Sequence, residues 1–197
     1  MFPLPPAISA LLIANLAGFA LQWLVGQENW LPFALWPLAT PEDAGVGFAP
    51  WQLVTYSFLH ANPLHLAVNM FALATFGTPL ARVGGTRRLL TLYGTAVLTA
   101  AATQLLVPPL FDAPIAPTLG ASGGVFGLLL AYAVLFPRST VLLIIPPIPM
   151  PAWLFATLYA AIELVLGVTQ TQAGVAHFAH LGGALGGMLV LWRWRRR

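Results

Sequence analysis

Charge in this chain is confined to the ends of long apolar runs. No charged side chain lies between Asp112 and Arg138, and the same holds for five other stretches apart from a single acid, Glu163. A helix of about 20 mostly apolar residues crosses a bilayer, because only helices and closed barrels satisfy their own backbone polar groups there. Six segments meet that pattern, at roughly 7–25, 63–81, 88–107, 120–136, 151–168 and 176–193. The expected fold is an all-α integral membrane protein, a bundle of six transmembrane helices forming one domain over residues 1–197. The fourth and fifth segments are short, which calls for local thinning of the bilayer or burial among the other helices. Pro108, Pro109, Pro114 and Pro117 break the chain before the fourth, and Pro146, Pro147, Pro149 and Pro151 before the fifth.

Composition removes the main alternative. Charged residues make up 7% of the chain and hydrophobic ones 59%, against about 25% charged in soluble domains. A soluble fold would expose very large apolar patches. There is no cysteine, so disulfides, thiol catalysis and cysteine-ligated zinc are excluded. The sequence pI is about 10, yet the arginines sit at segment ends and in the Arg193-to-Arg197 tail rather than along one face. No nucleic-acid partner is expected. The apolar N-terminus lacks a basic leading region and reads as a retained first span.

Arginine sets the orientation. Arg82, Arg87 and Arg88 fall between spans two and three, Arg138 after span four, and Arg193, Arg195, Arg196 and Arg197 after span six. With six spans all share one side, and the positive-inside rule makes it cytoplasmic. Glu28, Glu42, Asp43 and Asp112 then lie opposite. An odd number of spans would break this segregation. Both termini are expected in the cytoplasm and the chain in the inner cell membrane. Residues 26–50 carry Trp30, Phe33, Trp36 and Phe48, flanked by Trp23 and Trp51. Such aromatics favour the interface, so this segment is expected to be an outer loop lying partly among headgroups.

In this topology spans two, four and six all run inward from the outer face. His65 and Asn69 begin the second, Ser122 the fourth, and His177 and His180 the sixth. At about 1.5 Å per residue, each lies within roughly 10 Å of its helix start. They occupy one shallow layer, where polar groups turn toward a partner or a water-filled cavity. Gly183 and Gly187 on span six, and Gly123, Gly124 and Gly127 on span four, form small surfaces that let backbones approach. Ser122 can therefore reach a span-six histidine. Serine needs a base to become a nucleophile, and histidine is the usual one near neutral pH. His65, Asn69 and the backbone N–H of Ser122 can serve as oxyanion donors, aided by the positive end of span four. The outer acids are in loops and Glu163 falls low in span five or near its middle, so no acid is expected beside the span-six histidine. The reading is a dyad rather than a triad, and Glu163 is left an interhelical partner.

These residues resemble the rhomboid family of intramembrane serine proteases, of the bacterial six-helix type. The second span reads His60-x4-His65-x3-Asn69, the fourth begins Gly120-Ala121-Ser122-Gly123, and the sixth reads Ala179-His180-Leu181-Gly182-Gly183 with Gly187 beyond. The resemblance implies that Ser122 is the nucleophile and His180 the base, because the family's histidine precedes the glycine pair. It implies His65, Asn69 and Ser122 for the oxyanion hole. Gly120, Gly123, Phe126 and His177 shape the site. Phe126 stands where the family often has a tyrosine packed on the catalytic histidine. Gln52 after Trp51 replaces a family arginine, and Pro79-Leu80-Ala81 lacks a glutamate often found there. Both departures bear on how the first loop is anchored rather than on the catalytic groups. His60 is expected to tie down the loop entering span two.

The implied activity is hydrolysis of peptide bonds in single-span membrane proteins near the outer face. Such a substrate must unwind locally, since a stable helix hides its carbonyls. The loop 169–175 and the upper part of span five are expected to move for it, capped by Gly167, Thr169, Gln170, Thr171, Gln172 and Gly174. Rival classes fit less. Three histidines could bind zinc, but there is no HExxH and no carboxylate placed as a ligand, so neither metal nor cofactor is expected. No internal repeat suggests a transporter. A catalytically inactive rhomboid-like binding or quality-control factor would be expected to lack the serine or the histidine.

Overall fold

A computed structural model describes residues 3–41, 45–111, 114–142, 147–171 and 174–196, without the side chains of residues 27 and 28. Glu42, Asp43, Asp112, Pro146, Gln172 and Arg197 therefore lie outside the described residues, as does the side chain of Glu28. The fold is a helical membrane bundle. In chain order its helices are α1 (Pro6–Val25), α2 (Gln52–Thr55), α3 (Pro63–Leu106), α4 (Ser122–Leu135), α5 (Ala152–Thr169) and α6 (His177–Arg195). α1, α3 and α5 are each long and apolar enough to cross a membrane.

The segments expected as spans two and three share one assigned element, α3, broken at Gly85. There φ is 74° and ψ 171°, a backbone that a side chain rarely tolerates. Packing gives the directions of the two halves. Gly120 meets His65, and Gly77 meets Leu128, so the first half runs with α4. Gly123 meets Ala100 and Gly127 meets Ala96, so the second half runs against it. Gly183 meets Gly123 and Gly187 meets Gly127, so α6 also runs with α4. The elements expected to descend together do so in parallel.

α4 is the axis of the bundle. Every residue from Gly123 to Leu129 is buried. At 14 residues it is about 21 Å long, too short for the hydrocarbon layer, but it is enclosed by the other helices. α5 differs: its buried residues are Ala152, Ala156, Glu163 and Gly167, a narrow stripe, and Trp153, Ile162, Leu164 and Val165 are exposed.

The proline-rich connector between α4 and α5 does more than break helices. Thr140–Leu142 (β1) pairs antiparallel with Pro149–Pro151 (β2), with Val141 opposite Met150. Proline lacks an N–H to donate, so it fits an edge, and both strands of a two-stranded ribbon are edges.

The loop between α1 and α2 is held by polar side chains, Gln52 and Trp51 among them. Gln52 is buried; its Oε1 accepts from Trp36 N at 3.1 Å, and its Nε2 donates to Pro32 O at 3.1 Å and Gly47 O at 2.8 Å. Trp51 Nε1 donates to the same Pro32 carbonyl at 3.0 Å. The residue that departs from the family pattern thus anchors the loop itself. Leu35 and Thr118 exchange both backbone bonds, at 2.9 and 2.8 Å, joining this loop to the strand that leads to Ser122. Gln52→Ala would strip Trp36 N and Gly47 O of this partner, each costing about 1–3 kcal/mol if it stays buried, and would leave Pro32 O only its bond from Trp51. A lower Tm and faster proteolysis within residues 26–50 are the expected results.

Candidate active site

Each side of the site is fixed by a local device. Asn62 is the N-cap of α3, its Oδ1 accepting from His65 N at 2.8 Å, and Pro63 occupies the first turn. This places His65 at the top of the helix. Its Nδ1 accepts from Ala61 N at 3.4 Å, which leaves the ring proton on Nε2. That edge packs on Gly120: a methyl there would lie 2.9 Å from His65 Cε1 and 3.0 Å from Nε2. Gly120 also has φ 125° and donates its N–H to Tyr56 O at 2.9 Å. It is glycine for two independent reasons, one conformational and one steric.

Ser122 opens α4 and His180 lies in the first turn of α6. His180 Nε2 is 2.8 Å from Ser122 Oγ. The imidazole stacks on Phe126, centroids 4.3 Å apart at 5°, and Phe126 stacks in turn on Tyr159 of α5 at 5.1 Å and 15°. A phenyl ring thus holds the plane of the histidine without a hydroxyl. At the start of α6, Gln104 Oε1 accepts from Ala179 N at 3.2 Å, satisfying an orphan amide.

Of the expected site residues, Gly120, Gly123, Phe126 and His65 gather around Ser122 and His180. Asn69 sits a turn below His65 and is buried, with one amide proton spent on His65 O at 2.9 Å; the other proton remains to give. His177 points toward α5 instead.

One expectation fails. An acid does stand beside span six: Glu163 Oε2 is 2.6 Å from His177 Nδ1 and 3.0 Å from His180 Nδ1. The contact to His177 is an aligned hydrogen bond. The one to His180 is within ion-pair range but off line for a bond. The error has a simple origin. α5 runs antiparallel to α6, so the depth of Glu163 is set by its distance from the far end. Glu163 is six residues before Thr169, about 9 Å from that end, which is the layer of Ser122. The two histidines turn the same nitrogen toward one acceptor. Among the described residues no three such side chains are disposed to hold a metal ion.

His60 also differs from expectation. The tie to the loop is made by its backbone, whose N–H donates to Gln22 Oε1 at 2.9 Å and whose O accepts from Gln22 Nε2 at 3.4 Å. The ring is fully buried, edge-on to His65 at 5.2 Å, with neither nitrogen bonded among the described residues. Burial, and then the neighbouring His65, push its pKa down to about 4. Folded His60 stays neutral where the unfolded chain takes up a proton, below about pH 6.5. Its contribution to stability is present above that pH and lost as pH falls toward 4. Thermal melts of His60→Leu should show a shallower loss of Tm across that window than wild type; identical slopes would count against the assignment.

The rhomboid-domain family model matches residues 48–197, which hold every site residue above. The chain belongs to the rhomboid family. Among its relatives, Rhomboid protein 1, mitochondrial, of Saccharomyces cerevisiae is 35% identical over 142 residues, covering 72% of this chain and 41% of that protein. Rhomboid protease GluP of Bacillus subtilis is 31% identical over 142 residues, 71% of this chain and 25% of that one. RHOMBOID-like protein 12, mitochondrial, of Arabidopsis thaliana is 32% identical over 145 residues, 67% and 43%. The chain spans less than half the length of these rhomboids. The family includes serine intramembrane proteases, GluP among them by name. In this rhomboid the layer that joins α3, α4, α5 and α6 holds the serine, histidine and carboxylate side chains. A cavity lined by Leu80, Arg88, Leu135 and Trp194 lies at the opposite, arginine-rich end and has none.

Proposed function

We propose that this rhomboid is an intramembrane serine endopeptidase that cuts single-span membrane proteins near the outer face of the bilayer. The observation that carries the reading is the 2.8 Å contact between Ser122 Oγ and His180 Nε2, in a layer with hydrogen-bond donors on the facing helix. His180 takes the serine proton as Oγ attacks the peptide carbonyl. The negative oxygen of the tetrahedral intermediate meets the His65 Nε2–H, the free amide proton of Asn69 and the N–H of Ser122, whose first-turn amide has no carbonyl to bond. The leaving amine collects the proton from His180, and water then hydrolyses the acyl ester by the same route. Arginine at the inner ends of the helices supports an orientation with both termini cytoplasmic, in the inner cell membrane and with the site toward the outer leaflet.

The test is cleavage of a fluorescent single-span substrate in liposomes by wild type and Ser122→Ala. Wild-type cleavage that disappears in the variant, with an unchanged melting profile, is the expected result. Cleavage that survives Ser122→Ala would overturn the assignment of the nucleophile.

A further inference from the structure

We infer that Glu163 is a positioning residue for His180, so that Ser122, His180 and Glu163 form a serine–histidine–carboxylate relay whose third member comes from α5. The inference rests on the peptidase reading and deepens it. His180 Nε2 is committed to Ser122, and the Phe126 stack fixes the ring plane. Nδ1 must then face away from Ser122, and the Glu163 carboxylate is what it meets, at 3.0 Å. Glu163 is only 4% exposed, and a buried carboxylate is costly unless it is paired.

The groups around it are few. From α6 come His177 and His180, and on α5 itself Tyr159 lies one turn earlier. From α3, His65 lies within electrostatic reach of His180, and α4 brings Ser122 and the uncharged Phe126. His177 holds the aligned bond to Oε2 at 2.6 Å. A carboxylate oxygen accepts more than one donor, so a small turn of the group lines up His180 as well. Catalytic bonds are often loose before substrate binds and tighten on the way to reaction. With Nδ1–H toward Glu163, the Nε2 lone pair faces the serine proton. When His180 becomes positively charged, the adjacent fixed charge favours it, while the proton stays on Nδ1. His177 serves to hold the carboxylate in place.

Three readouts test this in the full chain in liposomes: substrate kinetics, the pH profile of kcat/KM, and the rate at which a fluorophosphonate labels Ser122. For Glu163→Gln the expected result is a fall in kcat of at least about tenfold with KM changed less than about twofold. Labelling should slow in parallel. The acid limb should also move to lower pH, because the imidazolium has lost its stabilising charge. Unchanged kcat and limb would overturn the inference. So would lower activity with an unmoved limb, which is what a packing role alone produces. If Glu163→Gln does not fold, nitrogen-15 shifts of His180 in wild type decide: a neutral ring protonated on Nδ1 is expected, and one protonated on Nε2 would overturn it. Wild type inert to both substrate and fluorophosphonate would instead sink the peptidase reading, with the His180 tautomer still testing its link to Glu163.

Discussion

His180→Ala should abolish cleavage as completely as Ser122→Ala, with each falling at least about a thousandfold in kcat/KM. The double variant should be no slower than either single one. A serine hydroxyl without its base and a base without its serine are equally idle, so their losses cannot add. The stacked geometry sharpens the expectation. His180 lies flat on Phe126 at 5°, so an alanine leaves a gap beside an aromatic ring rather than moving the backbone of α4. Folding should survive, and lost activity then reports chemistry. A double variant markedly slower than both singles would mean the two residues act separately. A clear remnant in His180→Ala alone would point to His177 as a substitute base, which its position in the structure argues against: its Nδ1 is held by Glu163 at 2.6 Å.

What was legible in the sequence was whatever depends on counting along a helix from its start. Ser122, His65 and His180 each follow the start of one of three parallel helices, so their common layer could be read directly. Gly183 and Gly187 facing Gly123 and Gly127 follow from the same parallel register. Glu163 was missed because α5 runs the other way, and its depth depends on where that helix ends. The expected end at 168 lies one residue from the observed Thr169, so the depth was readable by counting back from that end rather than forward from the start. The loop anchor at Gln52 was hidden for another reason. Its partners, Pro32, Trp36 and Gly47, are backbone groups of an irregular segment, and backbone acceptors leave no mark in the residue pattern. The pairing of β1 with β2 was masked by the very prolines that suggested only a break.

These pieces share one physical plan. The proposed reacting pair belongs to α4 and α6, whose backbones meet at Gly123 with Gly183 and at Gly127 with Gly187. The proposed side-chain oxyanion donors, His65 and Asn69, belong to the first half of α3, held to Ser122 by contact between Gly120 and His65. The acid alone rides on α5, whose buried stripe is four residues wide in all. Burial is therefore extensive on the helix that carries Ser122 and sparse on the helix that carries Glu163.

That plan makes Gly183→Ala the most damaging single methyl group in the chain. An added Cβ would run into the carbonyl of Gly123, with the Gly123 Cα 3.0 Å away. Backbone cannot rotate aside as a side chain does, so α6 must move off α4. Overpacking of this kind costs about 1–3 kcal/mol even where side chains can yield; here about 3 kcal/mol or more is expected. Gly187→Ala meets Gly127 O at 2.5 Å and should behave alike. Activity should fall further than stability, since a shift of about 1 Å at Gly183 opens the Ser122–His180 bond one turn above it, and such a misplacement can cost about a hundredfold. Gly94→Ala supplies the control. Nothing lies within 4 Å of a Cβ there, and alanine favours a helix over glycine by about 1 kcal/mol, so that variant should melt at or above the wild-type temperature. Thermal unfolding and cleavage measured on all three decide the matter. Gly183→Ala with wild-type Tm and activity would mean the helices are not packed backbone to backbone, and the geometry that brings Ser122 to His180 would fall with it.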